Sequence, residues 1–162
     1  MTRAGERKRI LIAEPDPSIS EALREFLEHV GYDAEVADNQ EDIVAVIKKG
    51  GTGVVIIDFL LNATGDGDLL GNIHAIDPTV CAVMLLSFPL AEYVVSAFRK
   101  GAFDVVIKPV DLFELDEIAK RAFKRYELNK AYHFVSQNLE KINELARRGV
   151  LVTQELLSDP VS

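Results

Sequence analysis

The sequence has few of the features that mark a secreted, membrane-bound or disulfide-bonded protein. Cys81 is its single cysteine, so no disulfide can form within the chain. Even the apolar run VCAVMLL at 80–86 gives way to a serine, whereas spanning a bilayer takes roughly 18 apolar residues. The basic opening at 3–9 precedes an apolar stretch that is too short for a signal peptide. We therefore expect a cytoplasmic protein with no membrane contact.

Basic charge is also scarce, with 18 Lys and Arg residues against 26 Asp and Glu residues and a net charge of −8. Binding to nucleic acid needs a concentrated basic surface, so we expect no contact with DNA or RNA. Only six residues are proline, while 48% are hydrophobic and 27% are charged, a balance typical of a folded chain. At 162 residues the chain has room for one domain and a smaller appendage.

Short apolar runs rich in Val and Ile alternate with stretches of helical period, a pattern that predicts parallel strands joined by helices. The run at 33–37 is weaker and alternates with polar residues, which favours a strand at the edge of the sheet. Five strands are predicted, at 9–13, 33–37, 53–58, 80–86 and 104–107.

The last predicted helix is unusually long for a domain of this size. Asp111 and Glu114 form a capping-box pattern at its start, and it meets no Gly or Pro before Gly149, so it could run for about 38 residues, roughly 57 Å. Its second half carries an apolar stripe with the spacing of a coiled coil, which favours a homodimer over a short helix folded back on its own domain. The stripe consists of Leu128, Tyr132, Val135, Leu139, Ile142 and Ala146.

These features predict four segments: a flexible arm at 1–7, one domain at 8–124, a helical extension at 125–148 and a flexible tail at 149–162.

Polar side chains follow several of the predicted strands, at the edge where parallel sheets bind ligands. They are Glu14 and Asp16 after the first strand, Asp58 at the end of the third, Ser87 after the fourth and Lys108 after the fifth. Clustered carboxylates are unfavourable without a cation, so the pattern indicates a site for Mg²⁺ and a phosphoryl group.

Over residues 8 to about 124 the sequence resembles the receiver domain of bacterial two-component response regulators. The segments that carry the resemblance are ILIAEPDPSI, VVIIDFLL, LLS and GAFDVVIKP. The resemblance implies an α/β fold with a doubly wound, five-stranded parallel sheet of flavodoxin type, in strand order 2-1-3-4-5. It also implies a cis peptide bond between Lys108 and Pro109.

The resemblance assigns a role to each site residue. Asp58 is the expected phosphoacceptor, Ser87 the switch residue and Lys108 the lysine that contacts the phosphoryl group. The expected Mg²⁺ ligands are Glu14, Asp16, Asp58 and the backbone carbonyl of Leu60.

Three residues depart from the family's pattern. Pro15 stands where a second adjacent acid usually binds magnesium, so Mg²⁺ binding is expected to be weak, with Asp16 as a substitute ligand. Phe88 stands where a small residue usually follows the switch hydroxyl, and it narrows access to the carboxylate. Val105 stands where an aromatic residue usually moves on phosphorylation.

The leading hypothesis is a stand-alone response regulator that is not an enzyme. It receives its phosphoryl group from a sensor histidine kinase or phosphotransfer protein and acts through protein contacts. The alternative is a pseudo-receiver that works as a phosphorylation-independent dimerising adaptor. A flavin- or nucleotide-binding enzyme is disfavoured, because EPDPS lacks the Gly- or hydroxyl-rich phosphate loop after the first strand.

Overall fold

The computed structural model describes residues 7–64 and 67–149 of the protein. Apart from Arg7 and Gly149, the predicted arm at 1–7 and tail at 149–162 lie outside the described residues. The strands are β1 (Arg9–Ala13), β2 (Asp33–Val36), β3 (Thr52–Asp58), β4 (Cys81–Leu86) and β5 (Asp104–Ile107). The helices are α1 (Pro17–His29), α2 (Gln40–Lys49), α3 (Phe59–Asn62), α4 (Leu69–Ile76), α5 (Ala91–Arg99), α6 (Leu112–Gln137) and α7 (Leu139–Arg147).

The five strands form one parallel sheet in the order β2-β1-β3-β4-β5, so the expected doubly wound fold and strand order are confirmed. The weak strand β2 pairs only with β1 and lies at the edge, as its alternating sequence predicts. The central strand β3 is buried along its whole length, which explains why its sequence is an almost unbroken apolar run.

Helices cover both faces of the sheet, and neighbouring residues of β3 point to opposite faces. Val54 and Ile56 belong to the apolar layer beneath α1 and α6. Val55 and Ile57 belong to the layer beneath α2, α4 and α5. Because side chains alternate along a strand, an uninterrupted apolar run is what two covered faces require.

Helix α6 packs its first half on the sheet with Leu115, Ile118, Ala119, Ala122 and Phe123, all of them buried. Asp111 caps its start by accepting hydrogen bonds from the backbone N–H groups of Phe113 and Glu114, as the capping pattern predicts.

The long C-terminal helix is present, but it is not one straight segment of 38 residues. It bends at Asn138, whose backbone (φ −112°, ψ 11°) departs from helical geometry and separates α6 from α7. The Asn138 amide donates a hydrogen bond of 2.8 Å to the carbonyl of Phe134. A side chain that inserts into the helical ladder in this way is a recognised cause of bending, and periodicity alone did not predict it.

Within residues 7–64 and 67–149, no helix is both long enough and apolar enough to cross a membrane.

Candidate functional site

Three of the predicted site residues meet at the carboxyl edge of the sheet. Glu14 follows β1, Asp58 ends β3 and Lys108 follows β5, and the strand order places β1 and β3 side by side. Lys108 reaches across β4 to both acids: its Nζ lies 2.9 Å from Oδ1 of Asp58 and 2.7 Å from Oε2 of Glu14. The structure therefore brings together three of the five side chains that the sequence predicts to converge, Glu14, Asp58 and Lys108.

Asp58 is held from two sides. It is only 5% exposed, and its carboxylate caps the one-turn helix α3 through a 2.9 Å hydrogen bond from the backbone N–H of Leu61 to Oδ2. Its other oxygen, Oδ1, accepts a hydrogen bond from Lys108. Both carboxylate oxygens are thus paired, which offsets the cost of burying their charge.

Glu14 is even more deeply buried, with 2% of its surface exposed. Its Oε1 accepts a hydrogen bond of 3.0 Å from the backbone N–H of Asp16, while Oε2 faces Lys108. Burial alone would lower the pKa of Lys108, but its bonds to Glu14 and Asp58 outweigh burial and raise the pKa above its usual value. Lys108 is therefore a cation at neutral pH, set between two acids.

Asp16 is placed differently from the other two acids. It is the N-cap of α1, and its Oδ1 accepts hydrogen bonds from the backbone N–H (2.9 Å) and hydroxyl (2.7 Å) of Ser18. These hydrogen bonds lower the pKa of the Asp16 carboxyl. Pro15, which separates it from Glu14, is exposed. The expected role of Asp16 as a metal ligand stays a prediction.

Of the expected magnesium ligands, the side chains of Glu14 and Asp58 lie together, both in contact with Lys108. Among the described residues, no group of three or more His, Cys, Asp or Glu side chains is arranged to hold a metal ion. The backbone carbonyl of Leu60 already accepts a hydrogen bond from the N–H of Ala63, 3.2 Å away. Lys108 occupies the space between the two buried carboxylates. The residues as placed do not fit a three-carboxylate magnesium site.

Ser87 and Phe88 follow β4, and both are exposed, Phe88 by 58% of its surface. Val105, on β5, is half-buried and packs against the layer beneath α4 and α5. The aromatic contact nearest to Asp58 along the chain is instead made by Phe59, whose ring lies 5.3 Å from that of Tyr93 on α5. Sequence reasoning did not identify this pair.

Asn62 is another residue that the sequence did not single out. It is fully buried, and its Oδ1 accepts a hydrogen bond of 2.8 Å from the backbone N–H of Leu70 at the start of α4. This bond ties the turn that follows Asp58 to the next helix. Four residues after an acidic strand end, an asparagine is usually a surface residue, so only the fold reveals its role.

Residues 10–120 match the family described as the response regulator receiver domain. The chain therefore belongs to the response regulator receiver domain family, which confirms the resemblance seen in its motifs. Members of this family are signalling domains.

Two curated relatives illustrate the match. The nitrogen assimilation regulatory protein NtrX of Azorhizobium caulinodans is 28% identical over 144 residues, which cover 88% of this chain and 32% of that protein. The DNA-binding transcriptional regulator NtrC of Rhizobium meliloti is 30% identical over 113 residues, covering 70% of this chain and 23% of that protein. The chain thus spans a third or less of the length of either relative.

Solved structures agree with the fold. A CheY-like response regulator receiver domain protein from Methanospirillum hungatei has a TM-score of 0.67 at 27% identity, covering 75% of this chain and 98% of that one. NtrX from Brucella abortus has a TM-score of 0.69 at 24% identity and covers 93% of this chain and 32% of that one. The second likeness concerns the fold alone, and it includes helices beyond the receiver.

Proposed function

We propose that this chain is a phosphoryl-accepting receiver, with Asp58 as the residue that is modified. The observation that carries the proposal is the arrangement of one cation between two buried acids: Lys108 lies within 2.9 Å of Asp58 and 2.7 Å of Glu14. Such an arrangement places a cation against the Asp58 carboxylate, and a carboxylate oxygen is the nucleophile that this phosphoryl transfer requires. Family membership supports the same role.

In the proposed reaction an oxygen of Asp58 forms a bond to phosphorus while the bond between phosphorus and the donor group breaks. The donor is a phosphohistidine of a sensor kinase or phosphotransfer protein. Lys108, which already contacts Asp58, then pairs with an oxygen of the incoming phosphoryl group and stabilises its negative charge. The function is signalling rather than turnover of a substrate, so the chain is not expected to be an enzyme.

Magnesium binding is proposed to be weak. Pro15 contributes no charge, Asp16 caps α1, and Lys108 already neutralises part of the charge of Glu14 and Asp58. A divalent cation would have to compete with that ammonium group, since both are attracted to the same carboxylates.

Partners and location are part of the same proposal. We place the chain in the cytoplasm, where family members meet their kinases, and assign its output to protein contacts that include a second copy of this chain. Its net charge of −8 argues against DNA contact by this chain. The DNA-binding description belongs to NtrC, a protein of which this chain matches 23%.

The test is intact-mass spectrometry after incubation with acetyl phosphate, with and without MgCl₂. Wild type should gain the mass of one phosphoryl group, and Asp58→Asn should gain none. Asn is the matched control because it keeps the shape of the side chain while removing the nucleophilic charge. Equal labelling of wild type and Asp58→Asn would contradict the assignment.

A second candidate function is a pseudo-receiver that acts as a dimerising adaptor without phosphorylation. The observation that favours it is the use of Asp16 as a helix cap, together with proline at position 15. The same labelling experiment separates the two: a wild-type chain that is never labelled, at any Mg²⁺ concentration, supports the adaptor.

A further inference from the structure

A cavity lies at the opposite end of the sheet from Asp58. It has a volume of about 380 Å³ and is open to solvent on one side. It is bounded by the start of β4, by the turn before β5, by α4 and by α6, so its wall belongs partly to the domain body and partly to the long helix. The side chains and backbone that matter most are His74, Cys81, Gly101, Phe103, Arg125 and Asn129.

Arg125 is the one ionic group in the lining, and the lining includes no carboxylate. Its guanidinium lies over the ring of Phe103, 5.9 Å from the ring centroid. Among residues 7–64 and 67–149, Arg125 is exposed and no ion pair of it is found. A guanidinium that lies over an aromatic ring can still donate its N–H groups to an oxyanion.

Arg121 provides an internal comparison one turn earlier on α6. Its guanidinium also lies over Phe103, at 6.0 Å, but it forms an ion pair of 3.0 Å with Asp104. The nearby acid Asp77 is likewise engaged, because its Oδ1 accepts hydrogen bonds from the backbone and hydroxyl of Thr79. Asp77 and Asp104, the acids close to the cavity, thus bind other partners, and Arg125 in the cavity wall pairs with neither.

The rest of the lining suits the apolar part of a small molecule. Gly101 has φ of 106°, a backbone conformation that favours glycine, and it lies beside the ring of His74 in the wall of the cavity. His74 is fixed by a 2.9 Å contact between Nε2 and the carbonyl of Val80. Asn129, also in the lining, is fixed because its side-chain amide donates a hydrogen bond to the carbonyl of Thr79.

We infer that this cavity binds a small organic anion, with a carboxylate or phosphate group on Arg125 and an apolar body against Phe103. Such a ligand would touch the domain body and α6 together. Binding would therefore hold the long helix more firmly on the sheet and raise the melting temperature of the chain.

The experiment is a titration of the full chain followed by amide NMR, with benzoate, phenyl phosphate and benzamide as probes. Benzamide has the shape of benzoate without its charge. Benzoate and phenyl phosphate should give saturable shifts at Gly101, Phe103 and Asn129, and benzamide should give none. Binding of only one of the two anions would support the site and identify its head group.

Two arginine variants complete the test. Arg125→Gln should raise the dissociation constant about tenfold or more, because a charge-assisted contact is lost, whereas Arg121→Gln should bind as wild type does. Arg125→Lys keeps the charge and should bind with intermediate affinity, which provides a second reading if Arg125→Gln does not fold. Shifts that are equal for benzoate and benzamide, unchanged in Arg125→Gln, or absent from the cavity would overturn the inference.

Discussion

Lys108 is the residue that links the chemistry of the site to its geometry. It is the cation that contacts both Glu14 and Asp58, and it brings one positive charge to two buried negative ones. The site therefore pairs both carboxylates with a cation that the chain itself provides. Pro15 departs from the family's pattern in the same site, because it stands in place of a second acid that would have made the cluster more negative.

Pro15→Asp should tighten Mg²⁺ binding and speed the labelling of Asp58. The added carboxylate brings a further negative charge next to the buried acids Glu14 and Asp58, which attracts the cation. The measurement is an equilibrium Mg²⁺ titration of wild type and variant, followed by tyrosine fluorescence or by amide shifts near Asp58. Tighter binding by wild type than by Pro15→Asp would mean that the acidic loop is organised in another way.

The control for this prediction is at Asp16. Asp16→Asn keeps a good helix cap and removes the charge, whereas Asp16→Ala removes both. If Asp16 acts only as the cap of α1, Asp16→Asn leaves Mg²⁺ affinity unchanged and Asp16→Ala lowers the melting temperature. A loss of Mg²⁺ affinity in Asp16→Asn would instead make Asp16 the substitute ligand.

Cys81 should be unreactive at the pH of ordinary labelling experiments. Burial raises the pKa of its thiol to about 11, despite the nearby Arg125. Iodoacetamide at pH 8 should alkylate the folded chain at least about tenfold more slowly than the urea-unfolded chain. Alkylation of the folded chain as fast as that of the unfolded one would contradict this.

The same pKa shift has a consequence for stability. The folded state favours the protonated thiol of Cys81, and this preference contributes to the stability of the fold. The contribution is complete below the ordinary pKa of 9.0 and is lost as the pH rises through about 11.

At the scale of elements, β3 and α6 connect the two ends of the molecule. Strand β3 begins at Thr52, next to α6, and ends at Asp58 in the site. The contact at its start is unusually close: a β-carbon on Gly53 would lie 2.6 Å from Phe123 and 2.9 Å from Tyr126. Glycine is therefore needed there so that two aromatic rings of α6 can pack on the strand.

Gly53→Ala should destabilise the fold by about 1–3 kcal/mol, because the added methyl group forces α6 away from the sheet. The measurement is urea unfolding at equilibrium. The control is a double-mutant cycle with Phe123→Leu, in which Gly53→Ala should cost less because the nearest ring is gone. An equal cost in both backgrounds would mean that the strain lies elsewhere.

Much of this arrangement could be predicted from the sequence. Hydrophobic periodicity, together with turn and capping residues, predicted all five strands, the edge position of β2 and the start of α6 at Asp111, since these depend on local patterns. The bend at Asn138 and the burial of Asn62 could not be predicted, because each depends on a side chain finding a partner that only the fold supplies. The position of Asp16 as the cap of α1 could not be predicted either, because an aspartate that caps a helix and one that binds a metal look alike in sequence.

At the scale of the whole molecule, the helical extension leaves apolar side chains in water. Leu128, Tyr132 and Leu139 are 65%, 76% and 49% exposed. Helix α6 stays in contact with the domain as far as Asn129, which bonds to the carbonyl of Thr79, so the free part of the extension begins beyond that residue. The bend at Asn138 divides the apolar stripe between α6 and α7.

We predict that the chain is a dimer through this stripe, because burying it against a second copy removes its apolar surface from water. Light scattering of wild type should give twice the chain mass of 17.9 kDa, and Tyr132→Glu with Leu139→Glu should give a monomer. Phe113→Glu is the control, since Phe113 is 81% exposed at the other end of α6 and should leave the dimer intact. Monomeric wild type at tens of micromolar would contradict the prediction.

The account depends above all on which residue receives the phosphoryl group. Borohydride reduces an aspartyl phosphate to homoserine, so treatment after labelling marks the acceptor permanently, and peptide mass mapping then identifies it. We predict homoserine at position 58 alone in wild type labelled with acetyl phosphate and Mg²⁺, and none in the unlabelled chain. Homoserine at any other position, or labelling with no homoserine at position 58, would contradict the assignment of Asp58 as the phosphoacceptor.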